Sequence, residues 1–178
     1  MQKIIPLSKY PLAIRILHWL MAVIIVSLLA VGLIMTDMPK GDPTRATLYS
    51  LHKSFGLTIL MLFFLRIVLR IKLGRPPLPE VIPPIERKLA ELGHWTLYGF
   101  MVAMPVSGYL MSTSFGLPVK WFGLMLPRLV DVDRARGALA SDFHTFAAYA
   151  LIALIIVHAG AVLLHYIQHR VNLLSRML

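Results

Sequence analysis

The chain has 178 residues, of which 58% are hydrophobic and only 15% charged. A soluble domain of this length fills its core with far less apolar residue, so the surplus must face lipid, and the length leaves room for one compact domain without a separate soluble module. The formal charge of +10 would suggest nucleic acid in a soluble protein, but here the basic residues flank apolar segments, as membrane topology requires, and no nucleic-acid partner is expected; the absence of cysteine removes disulfides, iron–sulfur clusters, thiolate zinc sites and any CxxCH attachment.

The first apolar stretch covers about residues 14–35. No small-residue cleavage site follows it, so it is expected to be a retained helix and not a signal peptide. A short polar turn, TDMPKGDPTR, leads to a second stretch at about 51–73. The next connection, GRPPLPEVIPPIERKLAE, is rich in prolines that cannot continue a helix. A third stretch follows at about 92–113, and then the longest connection, GLPVKWFGLMLPRLVDVDRARGALAS. Its WFGLML patch is apolar but too short to span, so it is expected at the interface or as a cap on the bundle. The fourth stretch covers about 143–167. Each of the four can cross a bilayer, which takes roughly 20 residues. The expected fold is therefore an all-α membrane protein: one domain over 1–178, a bundle of four transmembrane helices.

Charge sets the direction. Eleven basic residues, among them Lys9, Arg15, Arg66, Arg70, Arg75 and Lys3, collect on one side, and seven on the other. The positive-inside rule then puts both termini in the cytoplasm.

An imidazole at membrane depth is costly and usually has a partner or a function. His18 sits just inside the cytoplasmic end of the first segment, while His52 and His144 sit at the outer ends of the second and fourth. His158 follows His144 by fourteen residues. In a helix that spacing returns to within about 40° of the same face, about 21 Å further along. His144 thus shares the outer level with His52, and His158 descends to the level of His18. Paired imidazoles at two depths of a four-helix core match bis-histidine ligation of two b-type haems. Two rival readings stand beside this one. Singly, such histidines make hydrogen bonds at helix contacts. A zinc or copper ion could hold one pair, but a single metal cannot bridge two levels about 21 Å apart.

Neighbouring positions fit a flat macrocycle. Gly56 lies one turn from His52, where a missing side chain admits close approach, and Gly32, Gly99, Gly108 and Gly160 could do the same or simply allow helix contact. Arg66 follows His52 by fourteen residues and could hold a propionate or snorkel to the surface. Arg15 and Arg70 read as plain positive flanks. Lys53 could reach an outer propionate or the headgroups. His94, His165 and His169 lie at the cytoplasmic ends, either solvated or positioned to deliver protons to a quinone.

The segments IRILHWLMAV around His18, LHKSFGLTIL around His52, LGHWTLYGFMVAMPVSGYLMS, and DFHTFAAYALIALIIVHAG around His144 and His158 resemble the bacterial cytochrome b561 family. The resemblance covers nearly the whole chain and implies haem ligation by His18, His52, His144 and His158, in the inner membrane of a bacterium. Some members of that family oxidise superoxide at the outer face and reduce ubiquinone; others are cytochrome b anchor subunits of a periplasmic dehydrogenase or hydrogenase, with a protein redox partner. The expectation is two haem b groups and a superoxide:ubiquinone oxidoreductase. Lys53, Arg134 and Arg136 are then candidates for drawing in the superoxide anion, although five aspartates dilute the outer basic charge. A non-haem transporter is the remaining alternative.

Overall fold

A computed structural model describes residues 7–77 and 79–178; Lys3 lies outside them. Four helices follow in order: α1 (Leu12–Asp37), α2 (Pro43–Leu73), α3 (Pro84–Ser114) and α4 (Arg134–His169). A two-stranded hairpin separates α3 from α4, and a 3-10 turn (Leu173–Arg176) ends the chain.

The helices begin earlier than the apolar runs suggest. Pro43 and Pro84 each open a helix at its first turn, where the missing N–H has no partner to lose. The segment IERKLAE, expected in a loop, is therefore the start of α3. Asp42 caps α2 by accepting from the Thr44 N–H, 2.7 Å, and Asp133 caps α4 by accepting from the Arg136 N–H, 3.0 Å. At the far end of α2, Gly74 adopts φ 72° and donates to the Arg70 carbonyl, closing the helix before Pro76 and Pro77.

α1, α2 and α4 are long and apolar enough to cross a membrane. α3 is as long as α2 but has no stretch of spanning length as apolar as those of the other three, with Ser107, Ser112, Thr113 and Ser114 buried towards its end. Of the four expected spans, three are therefore matched by helices of spanning length and hydropathy, and α3 is the fourth helix. Outward faces carry large apolar residues, such as Ile71 at 77% exposure and Ile156 at 66%. In water such a surface would aggregate; in lipid it is solvated.

The helices neighbour one another in chain order, α1 on α2, α2 on α3 and α3 on α4. Leu17, Met21, Ile59, Phe63 and Tyr98 form the apolar core where the first three meet. α4 packs on α3 and stands off from α1 and α2. A cavity of about 2000 Å³ fills that gap and is lined from all four helices.

The WFGLML patch forms the hairpin, Lys120–Trp121 against Leu124–Met125. Its two-residue turn, Phe122–Gly123, has positive φ at both positions (45° and 95°), the conformation that matches strand twist. Buried Ser54 of α2 anchors it, donating towards the Lys120 carbonyl and accepting from the Phe122 N–H. Trp121 donates its indole N–H to Thr58, 3.1 Å. The patch thus caps the bundle over the end of α2 that carries His52.

Both described ends of the chain meet at the opposite pole. The Tyr10 N–H donates to the Arg176 carbonyl, 3.0 Å, and the Trp19 indole N–H to the Met177 carbonyl, 2.8 Å. Arg176, 3% exposed, donates to the carbonyls of Pro76, Pro77 and Ser8 and lies over the Tyr10 ring. One guanidinium fork therefore ties the chain's start, its end and the α2–α3 connection. Arg176→Ala leaves these carbonyls unpaired and should cost about 2 kcal/mol, seen as a lower thermal midpoint in detergent. Arg176→Lys should recover only part of it, because an ammonium cannot reproduce the fork.

Candidate functional site

Four histidines project from three helices into the cavity: His18 from α1, His52 from α2, and His144 and His158 from α4. They lie in two pairs. The ring centres of His18 and His158 are 6.4 Å apart, and those of His52 and His144 are 6.3 Å apart. These distances are too long for a direct hydrogen bond between rings. They leave room for a metal-holding group between the rings of each pair: with bonds of about 2 Å and about 1.2 Å from nitrogen to ring centre, two imidazoles that shared one ion would have centres up to about 6.4 Å apart.

The supports of the outer pair differ from one ring to the other. The Ser107 hydroxyl donates to the Met104 carbonyl, 3.0 Å, and lies 2.9 Å from His144 Nδ1. Its single proton being spent, Ser107 accepts the Nδ1–H, which leaves the Nε2 lone pair of His144 free. Such an outer partner fixes a ligand's tautomer and orientation. His52 Nδ1 is buried and has no hydrogen-bond partner. Both rings rest on glycine. A Cβ on Gly108 would meet His144 Cε1 at 3.1 Å, and one on Gly32 would meet His52 Cε1 at 3.3 Å. These glycines make room for imidazole edges. Gly56 lines the cavity with open space where a side chain would be, while Gly99 and Gly160 meet nothing within 4 Å and lie outside the lining.

At the inner pair, Arg66 lines the cavity and donates to the Ile14 carbonyl, 3.0 Å. It turns inward and does not snorkel. Arg70, expected as a plain flank, donates to the Tyr98 hydroxyl, lies over that ring and also lines the cavity. His94 presents its ring to the cavity 5.4 Å from that of His158, its Nδ1–H held by the Ala90 carbonyl. His165 and His169, one turn apart on α4, face Glu86 at the start of α3, with contacts of 3.3 and 3.0 Å to the same carboxylate oxygen. They are not simply solvated. Among the outer cations, Lys53 lines the cavity and donates to the Pro118 carbonyl, 3.2 Å. Arg136 is spent on Ser114 and the Asp131 carbonyl, and Arg134 is exposed at the start of α4. Ser107, Tyr98 and Glu86 escape a reading of the sequence, because a lone hydroxyl, phenol or carboxylate shows its partner only after folding.

The cavity is about twice the upper range of an ordinary small-molecule pocket, roughly 1000 Å³. Its walls are largely apolar, with imidazoles at two levels, Lys53 beside one pair and Arg66 and Arg70 towards the other. Paired imidazoles at metal-bridging separation, an unpartnered buried ring nitrogen and apolar walls fit a b-type haem, held by ligands and burial alone.

Residues 9–178 match the family described as prokaryotic cytochrome b561. The chain is 31% identical over 173 residues to "Cytochrome b561 homolog 2" of Escherichia coli (strain K12), covering 96% of this chain and 92% of that one. It is 30% identical over 128 residues to "Probable superoxide oxidase CybB" of Yersinia pestis, covering 72% and 73% respectively. "Cytochrome b561 homolog 1" of the same Escherichia coli strain is 26% identical over 162 residues, 91% of this chain and 92% of that one.

The glycine contacts give a direct test. Gly108→Ala puts a methyl against His144 and strains its bond to Ser107, an overpacking cost of about 1–3 kcal/mol. The purified variant should hold less haem per protein by pyridine haemochrome, whereas Gly99→Ala, which meets open space, should match the wild type.

Proposed function

Since this chain belongs to the prokaryotic cytochrome b561 family of membrane electron-transfer proteins, we propose that it is a superoxide:ubiquinone oxidoreductase holding two haem b groups. The supporting observation is the pairing of imidazoles at two depths of one apolar cavity, 6.4 and 6.3 Å between centres. A membrane cytochrome of this family binds haem b; that there are two, ligated by His18 with His158 and by His52 with His144, is our assignment. When bound, haem iron supplies one-electron redox chemistry. The whole chain acts as a single di-haem domain in the inner membrane, with both termini cytoplasmic, as the excess of basic residues at that pole favours.

The balance is two superoxide anions oxidised to oxygen for each ubiquinone that gains two electrons and two protons. This chain's side chains must therefore attract an anion at one face and deliver protons at the other. Lys53 is the best placed of the outer cations, since it borders the cavity beside His52, under the hairpin. Arg134 and Arg136 contribute field rather than contact. At the inner face His94, beside His158, offers a ring nitrogen to a quinone headgroup, and His165 and His169 complete a proton route. Arg66 and Arg70 supply positive charge for haem propionates. The superoxide reading draws on the 30% identity to the Yersinia pestis protein. A second reading, an anchor subunit for a periplasmic dehydrogenase, keeps the haem assignment and replaces superoxide by a protein donor docked on the hairpin pole.

Wild type should carry two haems per chain, His144→Ala and His158→Ala one each, by pyridine haemochrome with protein quantitation. Full haem content in His144→Ala would contradict the ligand set.

Stopped-flow mixing with superoxide should reduce the haem faster at low salt than at 1 M, where the Debye length falls from about 10 Å at 0.1 M to about 3 Å. Lys53→Glu should slow this phase without loss of haem, leaving reduction by an uncharged reductant unchanged. A rate equal to that of contaminating reductant at every salt would favour the dehydrogenase anchor.

A further inference from the structure

We propose that Glu86, His165 and His169 form a binding site for a divalent transition-metal ion of the zinc class, separate from the paired histidines of the cavity. Its parts come from two elements. His165 and His169 stand one turn apart in the last turns of α4, so their rings share a face. Glu86 lies in the first turn of α3. One carboxylate oxygen sits 3.3 Å from His165 Nδ1 and 3.0 Å from His169 Nε2, and the three ligand atoms all lie within 4.8 Å of one another. A tetrahedral ion with bonds of 2.0–2.1 Å sets neighbouring ligand atoms about 3.3 Å apart. The two measured edges lie near that figure, and the third is no longer than 4.8 Å.

Three further observations point to a cation. His165 Nδ1 is buried and makes no hydrogen bond, although the carboxylate is close; the contact has the distance of shared coordination without the direction of a hydrogen bond. Two guanidinium groups of this pole are committed elsewhere: Arg87 donates to the Ile82 and Glu80 carbonyls, and Arg75 pairs with Glu91. Among the described residues Glu86 has only the two imidazoles as ionic partners. Finally, the histidines end α4, where the helix dipole favours positive charge. Two imidazoles and one carboxylate suit zinc or its neighbours better than calcium or magnesium, which prefer an all-oxygen shell. Glu86 and His165 also line the cavity, so a fourth position would open towards it.

The site shares two side chains with the proposed quinone pocket but does not rest on that reading, and its test omits quinone. An untagged, haem-loaded chain in detergent, stripped by chelator, is titrated with zinc chloride by calorimetry. One saturable site of micromolar or tighter affinity is expected, weakened at least tenfold by Glu86→Gln and by His169→Ala. Zinc K-edge absorption of the wild type should show two imidazoles and oxygen in the first shell, a readout that depends on no variant folding. An unchanged haem spectrum in each variant checks its fold. Zinc binding absent from the wild type, as tight in both variants as in the wild type, or lacking the imidazole signature would make the trio an ion-paired cluster and overturn the proposal.

Discussion

Packing leucine against leucine gains little in a bilayer, because lipid tails offer the same contacts; polar side chains turned inward set the spacing between helices instead. In this bundle the polar side chains lie on either side of a gap. α4 stands off from α1 and α2, and the imidazoles of His18 and His52 face those of His158 and His144 across the opening. A gap of about 2000 Å³ between apolar walls is unfavourable when empty and favourable when filled, so the arrangement presupposes a guest. Haem, which the family binds, is flat and apolar at its centre and charged at one edge. Arg66 and Arg70, two of the arginines that line the gap, lie at the level of His18 and His158.

The two poles are closed by different means. A hairpin pinned by Ser54 and Thr58 covers the end that bears His52 and Lys53, and it consists largely of apolar side chains that can sit in the headgroup layer. At the other pole the closure is ionic, with Arg176 in a nest of carbonyls and Glu86 between two histidines. An anion approaching the first pole meets Lys53 near a thin cap. A proton crossing the second meets a string of titratable groups.

Much of this was legible in the residues, and the exceptions have physical causes. The apolar runs located all four helices, and the fourteen-residue spacing from His144 to His158 announced two levels on one face, because helix geometry is local and periodic. The starts of α2, α3 and α4 were missed by eight or nine residues, since capping by Asp42 and Asp133 and proline at the first turn extend a helix into polar sequence that hydropathy ignores. The WFGLML patch was expected as a cap, but its hairpin form depends on positive φ at Phe122, a residue type that does not advertise it. Ser107 and Glu86 act through partners 37 and 83 positions away, and no spacing rule encodes such pairs. Gly32 and Gly108 were noticed for close approach, and each admits an imidazole edge from the neighbouring helix.

One helix carries a member of each imidazole pair and both histidines of the Glu86 cluster. α4 therefore acts as a ruler. Between His144 and His158 any substitution of similar size leaves the graduations in place, but loss or gain of a single residue swings every mark beyond it by about 100° and slides it by about 1.5 Å. The α1–α2 and α2–α3 connections face no such bookkeeping, because α1 and α2 each bring one imidazole to the cavity pairs and α3 brings none. Length variation among descendants of this chain should collect in the connections, while the stretch from 144 to 158 keeps its count however far its letters drift.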